Sequence, residues 1–225
     1  LMYPILQIAN TVAEQTATEP ATMSLWELAC AGGWIMIVLL LLSLVAIYVF
    51  VAKYIELRRV NRPDDSFIAR IKDYLQMGRK DSAIALCKEK NTPEARMIEK
   101  GLKRLGQPAS EVLPAIENVG SYEVGRLERG LPLLATIAAG APMIGFLGTV
   151  TGMVQAFFDL ANAPGGIDIS LLSSGIYQAL VTTVGGLIVG IVTLFLYNYL
   201  VGQINRIVNR LEANTLDFMD VVNEL

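Results

Sequence analysis

Histidine is absent from this sequence of 225 residues, and cysteine occurs only twice, as Cys30 and Cys87. These absences leave too few nitrogen and sulfur ligands for a zinc site, and they exclude a histidine-based catalytic triad. The sequence also contains no phosphate-binding loop, no GxSxG segment and no CxxC pair. We therefore predict no metal site, no cofactor and no enzymatic activity.

Charge is scarce as well, since 17% of the residues are charged and the formal net charge is −3. A soluble domain carries about 25% charged residues. The basic residues form no stripe along an otherwise soluble fold, which excludes a nucleic-acid-binding protein, and a hydrophobic content of 53% excludes a disordered chain. The mean hydropathy of +0.49 instead indicates a membrane protein.

The excess of hydrophobic residues lies in three runs without Asp, Glu, Lys or Arg, at 34–51, 131–158 and 171–201. About 20 apolar residues in a helix span the ~30 Å hydrocarbon core of a bilayer. As helices, the second and third runs are roughly 42 and 46 Å long, so they should extend beyond the membrane. The sequence therefore predicts an all-α integral membrane protein with three transmembrane helices, the second and third extending into a helical cytoplasmic domain.

The start of the first span is marked by Ser24 as a capping residue and Glu27 three positions later. Met23 and Leu28 could form a hydrophobic staple across this cap. Residues 1–23 contain no Lys or Arg, so they lack the basic start that a signal peptide needs.

The orientation follows from the basic residues, of which 16 of the 18 lie within 53–129, the other two being Arg206 and Arg210. Lys and Arg accumulate on the cytoplasmic side of membrane proteins, so we predict an outer N-terminus and a cytoplasmic C-terminus. The expected domains are a periplasmic segment at 1–23, transmembrane helix 1 at 24–57, a cytoplasmic helical domain at 58–130, transmembrane helix 2 at 131–158, a short periplasmic loop at 159–170, transmembrane helix 3 at 171–201 and a cytoplasmic amphipathic helix at 202–225.

The cytoplasmic segment is expected to form helices with short breaks between them. Helix starts are predicted at 64–66 and at 92–94, the latter from a Thr-Pro-Glu capping sequence, and helix ends at Gly78 and Gly106. Residues 123–129 lead directly into the second hydrophobic run, so we predict one unbroken helix there. In the C-terminal tail, apolar residues recur at helical spacing at Ile204, Ile207, Val208, Leu211, Phe218 and Val222.

Cys87 lies beside Lys88 and Lys90, which could lower the pKa of its thiol. A cysteine packed on the inner face of a helix is the more ordinary explanation, and we favour it. The charged stretch 88–90 is then a solvated face. Cys30 falls on the outer side of the membrane and Cys87 in the reducing cytoplasm, so we expect no disulfide between them.

The second and third runs are rich in Gly, Ala, Ser and Thr, whereas the first is mostly Leu, Ile and Val. Small residues allow helix backbones to approach closely in lipid. This contrast predicts that helices 2 and 3 face protein while helix 1 faces lipid. The glycines expected at the contact, which include two GxxxG pairs, are Gly145, Gly148, Gly152, Gly186 and Gly190.

Four polar side chains stand out at membrane depth, namely Thr149, Gln178, Thr182 and Thr183. Interhelical hydrogen bonds, worth ~0.6 kcal/mol each, would account for the threonines. Gln178 shares a helical face with Ser174 and Thr182, and such a stripe can line a cavity or hold a partner helix. No Asp, Glu, His, Lys or Arg lies in any run, although proton relays in membranes normally run through such groups. A partner helix would have to supply the titrating carboxylate.

The segments LERGLPLLATIA, APMIGFLGTVTGM, GIYQALVTTVGGLIVGI and LYNYL resemble the MotA/TolQ/ExbB proton channel family, most closely its ExbB branch and next TolQ. The resemblance implies a subunit of a proton-driven motor in the bacterial inner membrane. Such subunits form a homo-oligomeric ring, a pentamer in well-studied members, around an ExbD- or TolR-like single-span protein whose membrane helix carries an aspartate. The work reaches the outer membrane through TonB or TolA.

The resemblance also implies roles for individual residues. Thr149 matches the pore-facing threonine of the second span, and Thr183 matches the threonine five positions after a glutamate in the third. Gln178 stands where that glutamate is usual, and it cannot titrate. A helical wheel places Thr182, rather than Thr183, near Gln178. The leading expectation is an ExbB-like subunit that energises TonB-dependent transport, with a TolQ-like or other motor as the alternative and a non-conducting membrane scaffold as the competing class.

Overall fold

The computed structural model describes residues 32–60, 66–162 and 169–223, and within these ranges the chain is helical with no strand. In chain order the helices are α1 (Gly33–Val60), α2 (Ser66–Gln76), α3 (Lys80–Lys90), α4 (Pro93–Lys103), α5 (Ala109–Glu128), α6 (Leu131–Ala161) and α7 (Ile169–Asn223). Three stretches are long and apolar enough to cross a membrane, in α1, in α6 and at Leu172–Val222 within α7. These stretches match the three runs predicted from the sequence.

Helix α7 continues without a break through 55 residues, which at the α-helical rise corresponds to about 82 Å. The predicted boundary at residue 201, between a third span and a separate tail helix, is therefore not a break in the backbone. The apolar ridge of the tail continues the helix, since Ile204, Ile207, Leu211 and Phe218 are all buried. One helix thus carries both the membrane span and the spine of the domain beyond it.

The junction between α5 and α6 corrects one prediction, because residues 123–129 do not run unbroken into the second span. Helix α5 ends at Glu128 and α6 begins at Leu131. Between them Gly130 has φ +92, a left-handed conformation that glycine adopts readily and that ends a helix. A methyl group on Gly130 would lie 3.4 Å from Val49 Cγ1, so this turn packs against α1.

Several predicted helix boundaries correspond closely to the structure. Thr92 caps α4 as predicted, since its Oγ1 accepts a hydrogen bond from the Ala95 amide at 3.3 Å. Gly78 and Gly106 have φ +68 and +96, and they lie in the turns after α2 and α4, respectively. Helix α4 itself ends at Lys103, slightly earlier than predicted. The predicted capping elements Met23, Ser24, Glu27 and Leu28, the acidic pair Asp64 and Asp65, and Cys30 all lie outside the described residues.

The main hydrophobic core lies largely beyond the membrane spans, where α2, α4 and α5 pack against the second half of α7 and α3 packs against α2 and α4. The largest fully buried side chains of this core include Phe67, Ile98, Ile116 and Phe218, one from each of four helices. This packing holds the short helices α2 to α5 against the long helix that also forms the membrane site.

A partly buried ion pair fixes α4 against α5. The Arg96 guanidinium donates through Nε and one terminal nitrogen to the two carboxylate oxygens of Glu123, at 2.7 and 2.6 Å. Its other terminal nitrogen donates to the backbone oxygen and Oδ1 of Asn91, at 2.8 and 2.7 Å. Asn91 ends α3 in a left-handed conformation. One side chain thereby joins three helices through charge-assisted hydrogen bonds.

Candidate functional site in the membrane-spanning helices

The five predicted glycines all lie where α6 and α7 come into close contact. At Gly186 a methyl group would stand 2.6 Å from the Ala141 carbonyl oxygen and 2.8 Å from Gly145 Cα. At Gly145 it would stand 2.8 Å from the Thr182 carbonyl oxygen. A methyl group on Gly152 would stand 3.0 Å from Ala179 Cβ. A methyl group on Gly190 would contact Pro142, and one on Gly148 would contact the Thr182 side chain. Backbone therefore touches backbone in this contact, which only glycine permits.

Three threonine hydroxyls surround one carbonyl at this contact. The Thr149 and Thr183 hydroxyls hydrogen-bond to each other across the two helices. The Gly145 carbonyl oxygen accepts from Thr183 at 3.1 Å and lies 3.4 Å from the Thr149 hydroxyl. Thr182, which is 2% exposed, donates to the Ala179 carbonyl at 2.7 Å and lies 3.4 Å from that of Gly145. We call these three side chains the hydroxyl cluster.

Gln178 does not join the hydroxyl cluster. Its side chain is directed towards the start of α1, where a methyl group on Gly33 would be 2.7 Å from its Nε2. There it lines a cavity of about 320 Å³ between α1, α6 and α7 together with Ser174 and Thr182. The structure thus places Gln178 with Thr182, as the helical wheel indicates, while Thr183 pairs with Thr149 on another side of α7.

The same cavity contains further polar residues, which were not predicted from the sequence. Thr151, Gln155 and Asp159 follow one another at i, i+4 spacing on α6, and all three line it. Gln155 Nε2 donates to Asp159 Oδ1 at 2.9 Å. That spacing in an otherwise apolar helix was the available signal, since it places three polar groups on one helix face. Asp159 is the ionisable group among the cavity residues that the structure describes.

Comparison with known proteins adds an independent observation. The sequence model of the MotA/TolQ/ExbB proton channel family matches residues 89–213, which is more than half of the chain. This chain belongs to that family. The matched region begins in α3 and includes all of α6 and most of α7, so it contains the hydroxyl cluster and the cavity.

Individual relatives within the MotA/TolQ/ExbB family carry ExbB names. The chain is 32% identical over 191 residues to a putative biopolymer transport protein ExbB homolog of Methanothermobacter thermautotrophicus, covering 83% of this chain and 66% of that protein. It is 40% identical over 101 residues to a putative biopolymer transport protein ExbB-like 1 of Synechocystis, covering 44% and 40%. It is 27% identical over 180 residues to biopolymer transport protein ExbB of Neisseria meningitidis, covering 74% and 80%. The chain thus spans less than two thirds of the length of the first two relatives.

Outside the spans, the structure shows whether Cys87 is a reactive thiol or a packed cysteine. The thiol is buried, and this burial, with smaller contributions from Glu99 and Glu94 that outweigh the opposing effect of Lys90, raises its pKa to about 12. Cys87 is therefore a packed cysteine and no activated nucleophile. The neighbouring stretch is only partly a solvated face, because Lys90 Nζ lies 3.9 Å from the centre of the Phe67 ring while Lys88 and Glu89 are exposed.

Proposed function

We propose that this chain is a ring-forming subunit of a proton-driven motor in the bacterial inner membrane. With an ExbD-like partner it uses the proton motive force to energise TonB-dependent transport across the outer membrane. The observation that carries this proposal is the hydroxyl cluster within the region matched by the family, at the glycine-rich contact of α6 and α7. Proton transfer along water and hydroxyl groups needs such polar groups at a depth where lipid offers none.

The division of labour between this chain and its partner follows from the absence of charge in the spans. Residues 131–158 and 172–201 of the described chain contain no Asp, Glu, Lys or Arg, so the subunit supplies polar groups but no carrier of the proton. A single-span partner whose membrane helix carries an aspartate completes the path. In that arrangement the ring, proposed to be a pentamer, surrounds the partner helix, and the threonines position water or the partner's carboxylate.

The orientation that fits this proposal has the start of α1 and the end of α6 outside and the helices α2 to α5 in the cytoplasm. The basic residues support it, since they lie almost entirely between α1 and α6. The TonB-coupled motor is favoured over a TolQ-like one by the ExbB names of the relatives. The finding that favours a non-conducting scaffold instead is glutamine at position 178, where the family resemblance leads one to expect glutamate.

The first experiment is a pull-down of the full chain from its native membranes in mild detergent, followed by mass spectrometry. We expect a small single-span protein with an aspartate in its membrane helix, and TonB beside it. Recovery of TolA in place of TonB would assign the chain to the other envelope system. Recovery of the chain only with itself would contradict the motor and favour the scaffold.

The hydroxyl cluster is tested by Thr149→Val, which keeps the shape of the side chain and removes its hydroxyl. We expect proton flow through the reconstituted complex with its partner to be lost while the ring still assembles, because packing at the contact is unchanged. Thr136→Val is the matched control on the same helix, since the Thr136 hydroxyl bonds only to the Pro132 carbonyl of its own helix among the described residues. Undiminished proton flow in Thr149→Val would refute the role of the cluster.

A further inference from the structure

The cavity between α1, α6 and α7 is polar although it lies within membrane-spanning helices. Its volume is about 320 Å³, and it is a cleft that opens at the surface of the single chain, where Thr151, Gln155 and Gln178 are exposed. At about 30 Å³ per water molecule, this space corresponds to roughly ten waters. Its polar lining residues are Thr151, Gln155, Asp159, Ser174, Gln178 and Thr182.

The cavity extends from one end of the spans towards their middle. Asp159 lies at the end of α6 and Trp34 at the start of α1, and both are exposed. Tryptophan and a carboxylate are typical of the membrane–water boundary, so this level marks the mouth. From Asp159 to Gly148, which also lines the cavity, α6 descends by about 16 Å, roughly half of the ~30 Å hydrocarbon core.

The inner end of the cavity meets the hydroxyl cluster. Thr182 lines the cavity, and its hydroxyl lies 3.4 Å from the Gly145 carbonyl. The same carbonyl accepts from Thr183, which is bonded to Thr149. A single carbonyl group therefore separates the end of the cavity from the paired threonines.

Water is the occupant that the lining favours. The Thr151 hydroxyl donates to the carbonyls of Leu147 and Gly148, at 2.9 and 3.2 Å, which leaves its lone pairs available as acceptors. Gln178 adds an amide with both donor and acceptor groups. A polar cavity of this size holds ordered water, whereas an empty cavity is normally apolar. The Asp159 carboxylate at the mouth favours the entry of positive charge.

We infer that this cavity is a water-filled entrance, within each protomer, that admits protons as hydrated hydronium from the outer side as far as Thr182. Its direction rests on the orientation in the proposed function. No bond in the chain forms or breaks in this step, since a proton passes along water to the hydroxyl cluster.

The test uses single cysteines in a Cys30→Ala background, labelled with a charged, membrane-impermeant methanethiosulfonate in right-side-out spheroplasts. Thr151→Cys probes the deep part of the cavity and Gln155→Cys the part nearer the mouth. Leu41→Cys is the control, since Leu41 is exposed on α1 at a comparable depth but does not line the cavity. We expect both cavity cysteines to react at least about tenfold faster than the control, because a thiol in apolar surroundings does not ionise.

The second readout is proton flow through the complex after labelling. We expect the labelled Thr151→Cys protein to lose proton flow and the labelled Leu41→Cys protein to keep it. Equal labelling rates for Thr151→Cys and Leu41→Cys would show a dry cavity and overturn the inference. So would fast labelling of Thr151→Cys with unchanged proton flow, because the water would then not lie on the route.

Failure of the proposed function would look different. In that case the wild-type complex conducts no protons, although the cavity cysteines still react faster than the control. The cavity would then be filled with water but would not admit protons, which overturns the inference of a proton entrance. Labelling of the cavity cysteines only in inverted vesicles would reverse the orientation and overturn entry from the outer side. Arg59→Cys, at the other end of α1, reports the orientation independently, because it should react only from the cytoplasmic side.

Discussion

The contact between α6 and α7 makes a sharp prediction about stability, tested by Gly186→Ala. The added methyl group would stand 2.8 Å from Gly145 Cα, a backbone atom that cannot rotate away. Two carbon atoms prefer a separation of at least about 3.5 Å, so the helices must move apart by about 0.7 Å at this point. A gap of that size forfeits about a quarter to a half of the dispersion energy of the surrounding contacts.

The matched control is Gly140→Ala in α6, where a methyl group would meet no heavy atom within 4 Å. Replacing glycine by alanine inside a helix gains up to about 1 kcal/mol in either variant, so this gain cancels in the comparison. What remains is the cost of overpacking, typically about 1–3 kcal/mol. We therefore expect Gly186→Ala to be less stable than Gly140→Ala by about 1–3 kcal/mol.

The buried thiol of Cys87 provides the assay. In a Cys30→Ala background, a maleimide dye reacts with Cys87 only as the protein unfolds, so its fluorescence during heating reports the unfolding transition in detergent. Gly186→Ala should unfold at a lower temperature than Gly140→Ala. Equal unfolding temperatures would refute the direct backbone contact and, with it, the packing on which the hydroxyl cluster depends.

Further outcomes follow from three other parts of the structure, around Gln178, Cys87 and the pair of Arg96 with Glu123. Gln178→Glu should retain energy coupling, because the positive end of the α1 helix dipole favours a carboxylate near the start of that helix. Gln178→Leu should lose energy coupling, and full coupling in this variant would refute a polar role for Gln178. At pH 8 native Cys87 should be alkylated about a thousandfold more slowly than a thiol of pKa 9, since burial raises its pKa to about 12. The folded protein keeps the Cys87 thiol neutral, whereas the unfolded chain ionises it above pH 9, so the free energy of unfolding should fall as the pH rises from 9 towards 12. Alkaline denaturation of wild type and of Cys87→Ala would measure this loss. Glu123→Ala should cost about 3 kcal/mol in the free energy of unfolding by denaturant, at the low end for a buried pair because its arginine partner is 27% exposed. The more exposed pair of Lys103 with Glu99 is the control, since the Lys103 side chain is 55% exposed, and Lys103→Ala should cost less than about 1 kcal/mol.

The membrane spans were predictable from the sequence because their signal is local. A helix in lipid must satisfy its own backbone hydrogen bonds, so length and absence of charge suffice to locate it. The glycines were equally visible, since close approach of backbones requires small residues at regular spacing. The cap at Thr92 was predictable for the same reason, because its hydrogen bond joins residues only three positions apart.

The break at Gly130 was missed because sequence pattern favours continuity when helical residues flank a single glycine. A glycine within a helix and a glycine that ends one look alike until the position of α1 is known, and here the turn packs against Val49. The pair of Arg96 with Glu123 was likewise hidden, since the two residues are 27 positions apart. Such contacts depend on how the helices are arranged in space, which no local pattern specifies.

The sequence by itself therefore determined that this chain is a helical protein with three apolar helices long enough to span a membrane, that the second and third are rich in small residues, and that none of the three runs contains Asp, Glu, Lys or Arg. Only the tertiary structure decided which polar groups meet. It paired Thr149 with Thr183, and it placed Gln178 and Thr182 with Gln155 around an adjoining cavity. The physical reason is that the relative rotation of α1, α6 and α7 assigns each helix face to a neighbour, and this rotation is set by packing along the whole length of the helices.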